Sequence, residues 1–185
     1  RGVHGAPWGF SWRWDYAKEE VRQRFLGLFD ETLTRYDFDG LEIDFSRAPP
    51  FFCPGQVFAN IPVLTEFMRE ARALVVRQGE RRGRPLRLVV RVPVGLGENL
   101  EAGMDTETWI REGLADIVVL GSPGYCVHEI DIAPAVACAG ESGVLVFAGF
   151  DGSTYEVSPQ EGYERNVSSV LRATALNGYR DGAAG

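Results

Sequence analysis

The sequence predicts an α/β fold of parallel strands alternating with helices, and three observations carry that reading. Four short apolar runs recur, at Leu41 to Phe45, Leu86 to Val92, Asp116 to Leu120 and Val144 to Phe150. Segments of helical period lie between and around them. The last run, Val144-Leu145-Val146-Phe147-Ala148, is continuously apolar, as a strand buried on both faces of a parallel sheet requires. Strands alternating with helices imply right-handed βαβ units. Four such units cannot close an eight-stranded barrel, so the chain is either an open α/β sheet or an internal portion of a (β/α) barrel. It opens on Arg rather than Met and stops at Gly-Ala-Ala-Gly, which favours the partial barrel as the expectation, in one domain over residues 1–185.

The elements follow in order. After an aromatic-rich opening, Asp15 is placed to cap a helix running to about Arg35, with Val21, Phe25, Leu28, Phe29 and Leu33 at helical spacing and Glu19 and Glu20 in its first turn. Asp39-Gly40 is turn chemistry. Leu41-Glu42-Ile43-Asp44-Phe45 then alternates as a strand. A loop bearing Pro49, Pro50, Pro54 and Gly55 leads to a second helix, for which Asn60 is the expected cap and Leu64, Phe67, Met68, Ala71 and Leu74 the buried face. The basic run Arg77 to Arg87 is expected to be a solvated loop between that helix and the next strand.

The stretch Pro93 to Gly103 is expected to be loop, and a short helix begins at Asp105 or Thr106 with Trp109, Ile110 and Leu114 on its apolar side. Residues 121–143 read as loop with one helical turn near Ala135. Ser158-Pro159-Gln160-Glu161 combines a capping box with proline at the first helical position and opens a last helix that ends near Gly178.

Composition excludes some functions. With 45% hydrophobic and 24% charged residues the chain is of ordinary globular make-up. A net charge of −7, with Lys and Arg interleaved among acids, argues against a nucleic-acid partner. No run approaches the roughly 20 apolar residues of a membrane span. Cys53, Cys126 and Cys138 match no zinc or redox spacing and read as free thiols, with one disulfide open to them in an oxidising compartment. Two histidines, His4 and His128, leave no basis for a His-rich metal centre in this segment. Localisation and oligomeric state are left open.

Position relative to the strands sorts the acids. Asp37, Asp39 and Asp116 precede their strands, where turn and capping roles are usual. Asp44 and Asp151 lie at the C-terminal ends of the first and last strands, the end at which barrels build active sites. Glu42 and Asp44 share one face of their strand, about 6.6 Å apart along it. Arg47 and Arg91 are available to pair with them or to bind a substrate group, and Glu98 is a further acid in the loop after the second strand. Trp8, Phe10, Trp12, Trp14 and Tyr16, with Phe51 and Phe52 after the first strand, supply flat rings of the kind on which sugars stack, although such clusters also simply pack.

The phrase YDFDGLEIDFSRAPPFF, with WRWDYAKEEVR before it and VRVP, GMDTETWIREGLADIVV and VFAGFDG after it, resembles the glycoside-hydrolase-like proteins of the TIM-barrel glycosidase superfamily. The resemblance implies that the four strands are the fourth to seventh of a TIM barrel, that GYRDGAAG leads into the eighth, and that Asp44 and Asp151 are its catalytic carboxylates. It differs from the family pattern at Asp151, where a longer Glu is more usual, and at Ser46, where a bulkier residue is common. The expectation is a glycosidase that needs no cofactor or metal, with Asp44 as nucleophile or stabiliser and Asp151 as acid/base. Glu42, Arg47, Arg91, Glu98, Trp14 and Phe52 would then contact the carbohydrate. The rival expectation is a barrel that binds glycan without cleaving it. A partial barrel has open edges, so the isolated piece is expected to be poorly soluble.

Overall fold

A computed structural model describes residues 14–46, 49–121, 131–140, 142–150 and 168–185. Four parallel strands, β1 (Gly40–Asp44), β2 (Arg87–Val92), β3 (Ile117–Leu120) and β4 (Leu145–Ala148), lie side by side in sequence order. Helices α1 (Glu19–Arg35), α2 (Val57–Arg82), α3 (Leu96–Glu101), α4 (Thr106–Arg111), α5 (Ala133–Ala139) and α6 (Ser168–Arg180) stand before, between and after them. The α/β alternation expected from periodicity is therefore present, as a four-stranded parallel sheet compatible with part of a barrel.

One face of the sheet is packed into the core; the other, barer face exposes Glu42, Asp44 and Leu145, and Val119 is the buried residue of its two described rows. Ile43, Phe45, Leu88, Val90, Val92, Val118, Leu120 and Val146 alternate along the strands into a single apolar core with Leu33, Leu64, Phe67, Met68, Val75, Trp109 and Ile132 from the helices. Pairing of Glu42 with Val89, Val89 with Ile117 and Ile117 with Leu145 forms one row on the opposite face; Asp44, Arg91, Val119 and Phe147 form the next. Leu145 in the first row is 46% exposed. Past β4 the backbone bonding continues: Ala184 N–H donates to Val146 O at 2.8 Å and Ala148 N–H to Gly185 O at 2.9 Å. The last two residues thus follow β4 along its outer edge.

The helices hold together by specific polar contacts inside the apolar packing. Gln78 on α2 is buried and donates to Asp30 Oδ1 at 2.6 Å and Thr34 Oγ1 at 3.2 Å, fixing α2 against α1. Trp109, fully buried on α4, donates its indole N–H to Thr65 Oγ1 on α2 at 3.2 Å, as a buried indole requires. Gly83 ends α2 at φ 66°, a conformation that favours glycine.

Several expected boundaries shift. Asp15 does not cap α1, whose N-cap is Lys18; its carboxylate instead accepts from Ala17 N–H at 3.1 Å in the turn before the helix. The second helix starts at Val57 rather than at Asn60, and Asn60 bonds back to Gln56 O from within the first turn. Pro93 to Gly103 is not all loop, because α3 forms inside it, anchored by buried Asn99, which donates to Pro93 O at 3.1 Å and whose carbonyl accepts from Met104 N–H at 2.8 Å. The turn expected near Ala135 is the seven-residue α5. Asp105 caps α4 as expected, accepting from Thr108 N–H at 3.0 Å. The last helix is described from Ser168 and runs to Arg180; the capping box at 158–161 lies outside the described residues.

The basic run is not a free, solvated loop. It covers the last turns of α2 and the start of β2, and Arg82, Arg84 and Arg87 are paired with Asp37, Asp39 and Asp116 at the N-terminal end of the sheet.

Candidate active site

The two ends of the sheet treat their carboxylates differently. At the N-terminal end Arg84 binds Asp37 at 2.7 Å and also Asp39. The hydrogen bond and charge of Arg84 hold the exposed Asp37 carboxyl below the usual carboxylate range. Asp116 is bound on both oxygens: Oδ2 accepts from Arg72 Nη1 at 2.6 Å and from Leu88 N–H at 2.8 Å, and Oδ1 from Arg87 Nη1 at 3.0 Å. Burial pushes its pKa up, but the Arg72, Leu88 and Arg87 hydrogen bonds together outweigh that and leave it lowered. These acids are fasteners for the strand starts.

Asp44, the last residue of β1, stands at the opposite end and is exposed on the barer face. Its Oδ1 accepts from Ser46 N–H at 2.8 Å and from Ser46 Oγ–H at 2.6 Å, and Ser46 is itself buried. One carboxylate oxygen is thereby fixed by the turn that follows the strand. No described residue donates a hydrogen bond to Oδ2. Glu42 lies on the same face, two residues back, with Ile43 buried between them, as the strand alternation predicts.

Arg91 is level with Asp44 in the register but binds Glu42 instead, Nε to Oε1 at 3.0 Å. Of the two carboxylates open to it, Arg91 takes the diagonal one, which the long Glu side chain can reach. The other end of the guanidinium extends across the sheet: a Cβ added to Gly149, just past β4, would lie 3.3 Å from Arg91 Nη1 and 3.0 Å from Val119 Cγ1. The absence of a side chain at Gly149 makes that reach possible. Arg91 thus arches over Val119 from β1 to the C-terminal end of β4.

The loops at this end pack on one another. Tyr16 N–H donates to Phe51 O at 3.0 Å, which joins the segment before α1 to the loop after β1. The Tyr16 ring stacks on Phe25 and meets Phe45, Phe51 and Phe67 edge-on, and burial pushes its phenol up to about 12. Trp14 lies at the margin of this cluster, edge-on to Phe25 and 63% exposed, so it offers a ring surface at the C-terminal end. Phe52 does not: it is fully buried, its ring against Gly103, where φ is 95° and a Cβ would fall 2.7 Å from Phe52 Cε2. The expectation of a substrate-facing Phe52 is thus corrected, because the turn at Gly103, just after α3, packs against its ring. Glu98 is exposed on α3 and leans over Gly95 at the start of its own helix. Cys53 donates to buried Asp15 at 3.7 Å, and burial and that carboxylate push its thiol pKa up. Cys138 is also free.

The structure therefore brings Asp44, Glu42 and Arg91 together on one face, sets Trp14 and Glu98 on loops at the same end, and removes Phe52 to the core. Asp151 and Arg47 lie outside the described residues, as do Trp8, Phe10, Trp12, Cys126 and His128. Among the described residues no cluster of three His, Cys, Asp or Glu side chains is arranged to hold a metal ion, and no helix is long and apolar enough to cross a membrane. Sequence reasoning missed the part played by Ser46 and Gly149. A serine two residues after a strand-terminal aspartate is a recognisable signal for such a turn.

No family model matches the sequence, and no curated protein matches it. Among solved structures the chain is similar to a glycoside hydrolase family 18 N-acetylglucosaminidase from Paenibacillus barengoltzii, with a TM-score of 0.54 and 19% identity. The match covers 81% of this chain and 54% of that enzyme's, so the chain spans about half the length of its structural relative. At this identity the likeness concerns the fold.

Proposed function

We propose that this chain is the catalytic-face portion of a glycoside hydrolase, in which Asp44 and Asp151 are the pair of carboxylates that cleave the glycosidic bond. The observation that carries the reading is Asp44 itself. It ends a parallel strand on the barer face, one oxygen fixed by Ser46 and the other without a described donor. A carboxylate so oriented presents one oxygen in a set direction, as a nucleophile or a stabiliser of an oxocarbenium-like transition state must. The similarity of fold to a glycosidase supports the same class of chemistry.

Asp151 follows Gly149 and Phe150 in the sequence, three residues after β4. In the proposal it is the general acid that protonates the leaving oxygen and then the base that activates water. A separation of about 5 to 5.5 Å between the two carboxyls would give retention, and about 6.5 to 9.5 Å inversion. Exposed Trp14 supplies a ring for a sugar at the margin, exposed Glu98 stands on α3, and Arg47, three residues after Asp44 in the sequence, is assigned a substrate contact.

The test is turnover of aryl glycosides and oligosaccharides by the intact protein and by Asp44→Asn and Asp151→Asn. Both variants should lose two orders of magnitude or more in kcat with glycan binding kept. Undiminished turnover in either variant removes that residue from the mechanism. Glycan binding without turnover in the unaltered protein would instead make it a carbohydrate-binding barrel.

A further inference from the structure

We infer that Arg91 determines specificity at this face by donating from its two terminal nitrogens to hydroxyls of a neutral sugar, with Glu42 as the positioning residue that aims it; the inference rests on the glycosidase reading above. The first observation is geometric. A guanidinium has five N–H donors in a rigid planar fork. Its Nε is bound to Glu42 Oε1 at 3.0 Å, which fixes the plane, and no described residue accepts from Nη1 or Nη2. Nη1 sits beside Gly149, at the end of the strand that leads to Asp151, while the Arg91 backbone is level with Asp44. The edge of the fork that no described residue engages therefore lies on the face that carries Asp44, beside Gly149.

The second observation is the charge on that face. Its described charged groups are Glu42, Asp44 and Arg91, two carboxylates against one guanidinium. Glu42 already neutralises much of the arginine's charge. Among these described groups an anionic sugar meets more negative than positive charge, whereas hydroxyls accept from the fork without adding charge. Next in the same row Val119 is buried beneath the arginine, and half-buried Phe147 adds no charge to the face. Arginine on such a site would by itself suggest an anion; the neighbouring acids reverse that.

The experiment measures binding of the intact protein to immobilised neutral gluco-, xylo- and manno-oligosaccharides beside oligogalacturonates, with turnover followed on the glycans captured. Neutral glycans should be retained and oligogalacturonates rejected. Arg91→Ala should weaken neutral binding at least tenfold and Arg91→Lys should restore only part of it, with unchanged far-ultraviolet circular dichroism for both. Glu42→Gln keeps an acceptor for Nε but removes a charge, so oligogalacturonate binding should rise relative to neutral binding by roughly tenfold, as expected for a unit charge removed at about 7 Å in a partly solvated site. An indifferent Arg91→Ala, equal binding of acidic and neutral glycans by the unaltered protein, or an acidic-to-neutral ratio unmoved by Glu42→Gln overturns the inference. If turnover depends on Asp44 but not on Arg91, the inference fails and the glycosidase reading stands. If no glycan is captured, both fail.

Discussion

Replacing Asp116 should cost this fold more than any other surface carboxylate among those described, and the cost should depend on what replaces it. The Asp116 side chain is 12% exposed and accepts four hydrogen bonds from three residues. Leu88 is fully buried, and Asp116→Ala would strand its N–H without an acceptor, costing roughly 1.5–2 kcal/mol. Losing the charge-assisted bond to half-buried Arg72 costs about 1–1.5 kcal/mol more. The Arg87 contact adds little, since that side chain is 64% exposed. The alanine variant should therefore lose about 3 kcal/mol, or roughly 6–12 °C in Tm for a chain of this size. Asp116→Asn keeps an oxygen for Leu88 N–H and loses only the ionic part, about 1–1.5 kcal/mol.

Acid should erase the distinction between native protein and Asp116→Asn. The folded-state pKa of Asp116 is lowered below its value in the unfolded chain, so its stabilisation is present in full above about pH 4 and is lost as pH falls through the folded value. Urea denaturation of the three proteins at pH 6.5, repeated towards pH 2.5, measures both effects. Equal losses for the alanine and asparagine variants, or a native-to-asparagine gap that does not narrow in acid, would refute the account of this clamp.

Other expectations follow from particular side chains. Phe52→Ala should destabilise by about 3–5 kcal/mol without altering intrinsic glycan affinity, whereas Trp14→Ala should leave stability within about 0.5 kcal/mol and weaken glycan binding; thermal melts and titrations on both variants separate the core ring from the marginal one. Gly149→Ala should press on Val119 and Arg91 and reduce turnover more than stability, read as kcat/KM against Tm. Leu145→Lys places a charge in the apolar row of the barer face and should reduce concentration-dependent association in sedimentation velocity; an unchanged profile would mean that this row does not drive contact between molecules.

The strands were legible because parallel pairing buries alternate residues so completely that Leu88, Val90 and Val92, or Val118 and Leu120, announce themselves. Helix starts were harder where the N-cap side chain makes no bond, as at Lys18 and Gln56, since the signal being sought is then absent. Asp15 has the right chemistry for a cap and is used in a turn instead. Helix α3 escaped notice because six residues between glycines show no period. Of the site, Asp44 and Glu42 were legible from strand alternation alone. The partner of Arg91 was not, because register fixes which backbones are level, whereas a long side chain chooses between neighbours one or two residues away. Phe52 was misplaced for a related reason: its burial depends on the turn at Gly103, about fifty residues further along the chain.

The contrast between the two ends of the sheet bears on function more directly than the resemblance of folds. Asp37, Asp39 and Asp116 precede strands, and every one is bound by at least one arginine. Asp44 has an arginine level with it on the adjacent strand, and that arginine is directed to Glu42. If Asp44 served only to fasten the end of β1, the same economical pairing used three times at the other end would serve again. Instead the serine turn holds one oxygen of Asp44 by uncharged donors, and Glu42 keeps the guanidinium off it. On the proposed function, such an arrangement leaves one oxygen of Asp44 and the terminal donors of Arg91 without a described partner, open to the same incoming group. Both depend on Glu42, which makes that residue, rather than Asp44, the place where a single uncharged replacement should alter what the site accepts without abolishing what it does.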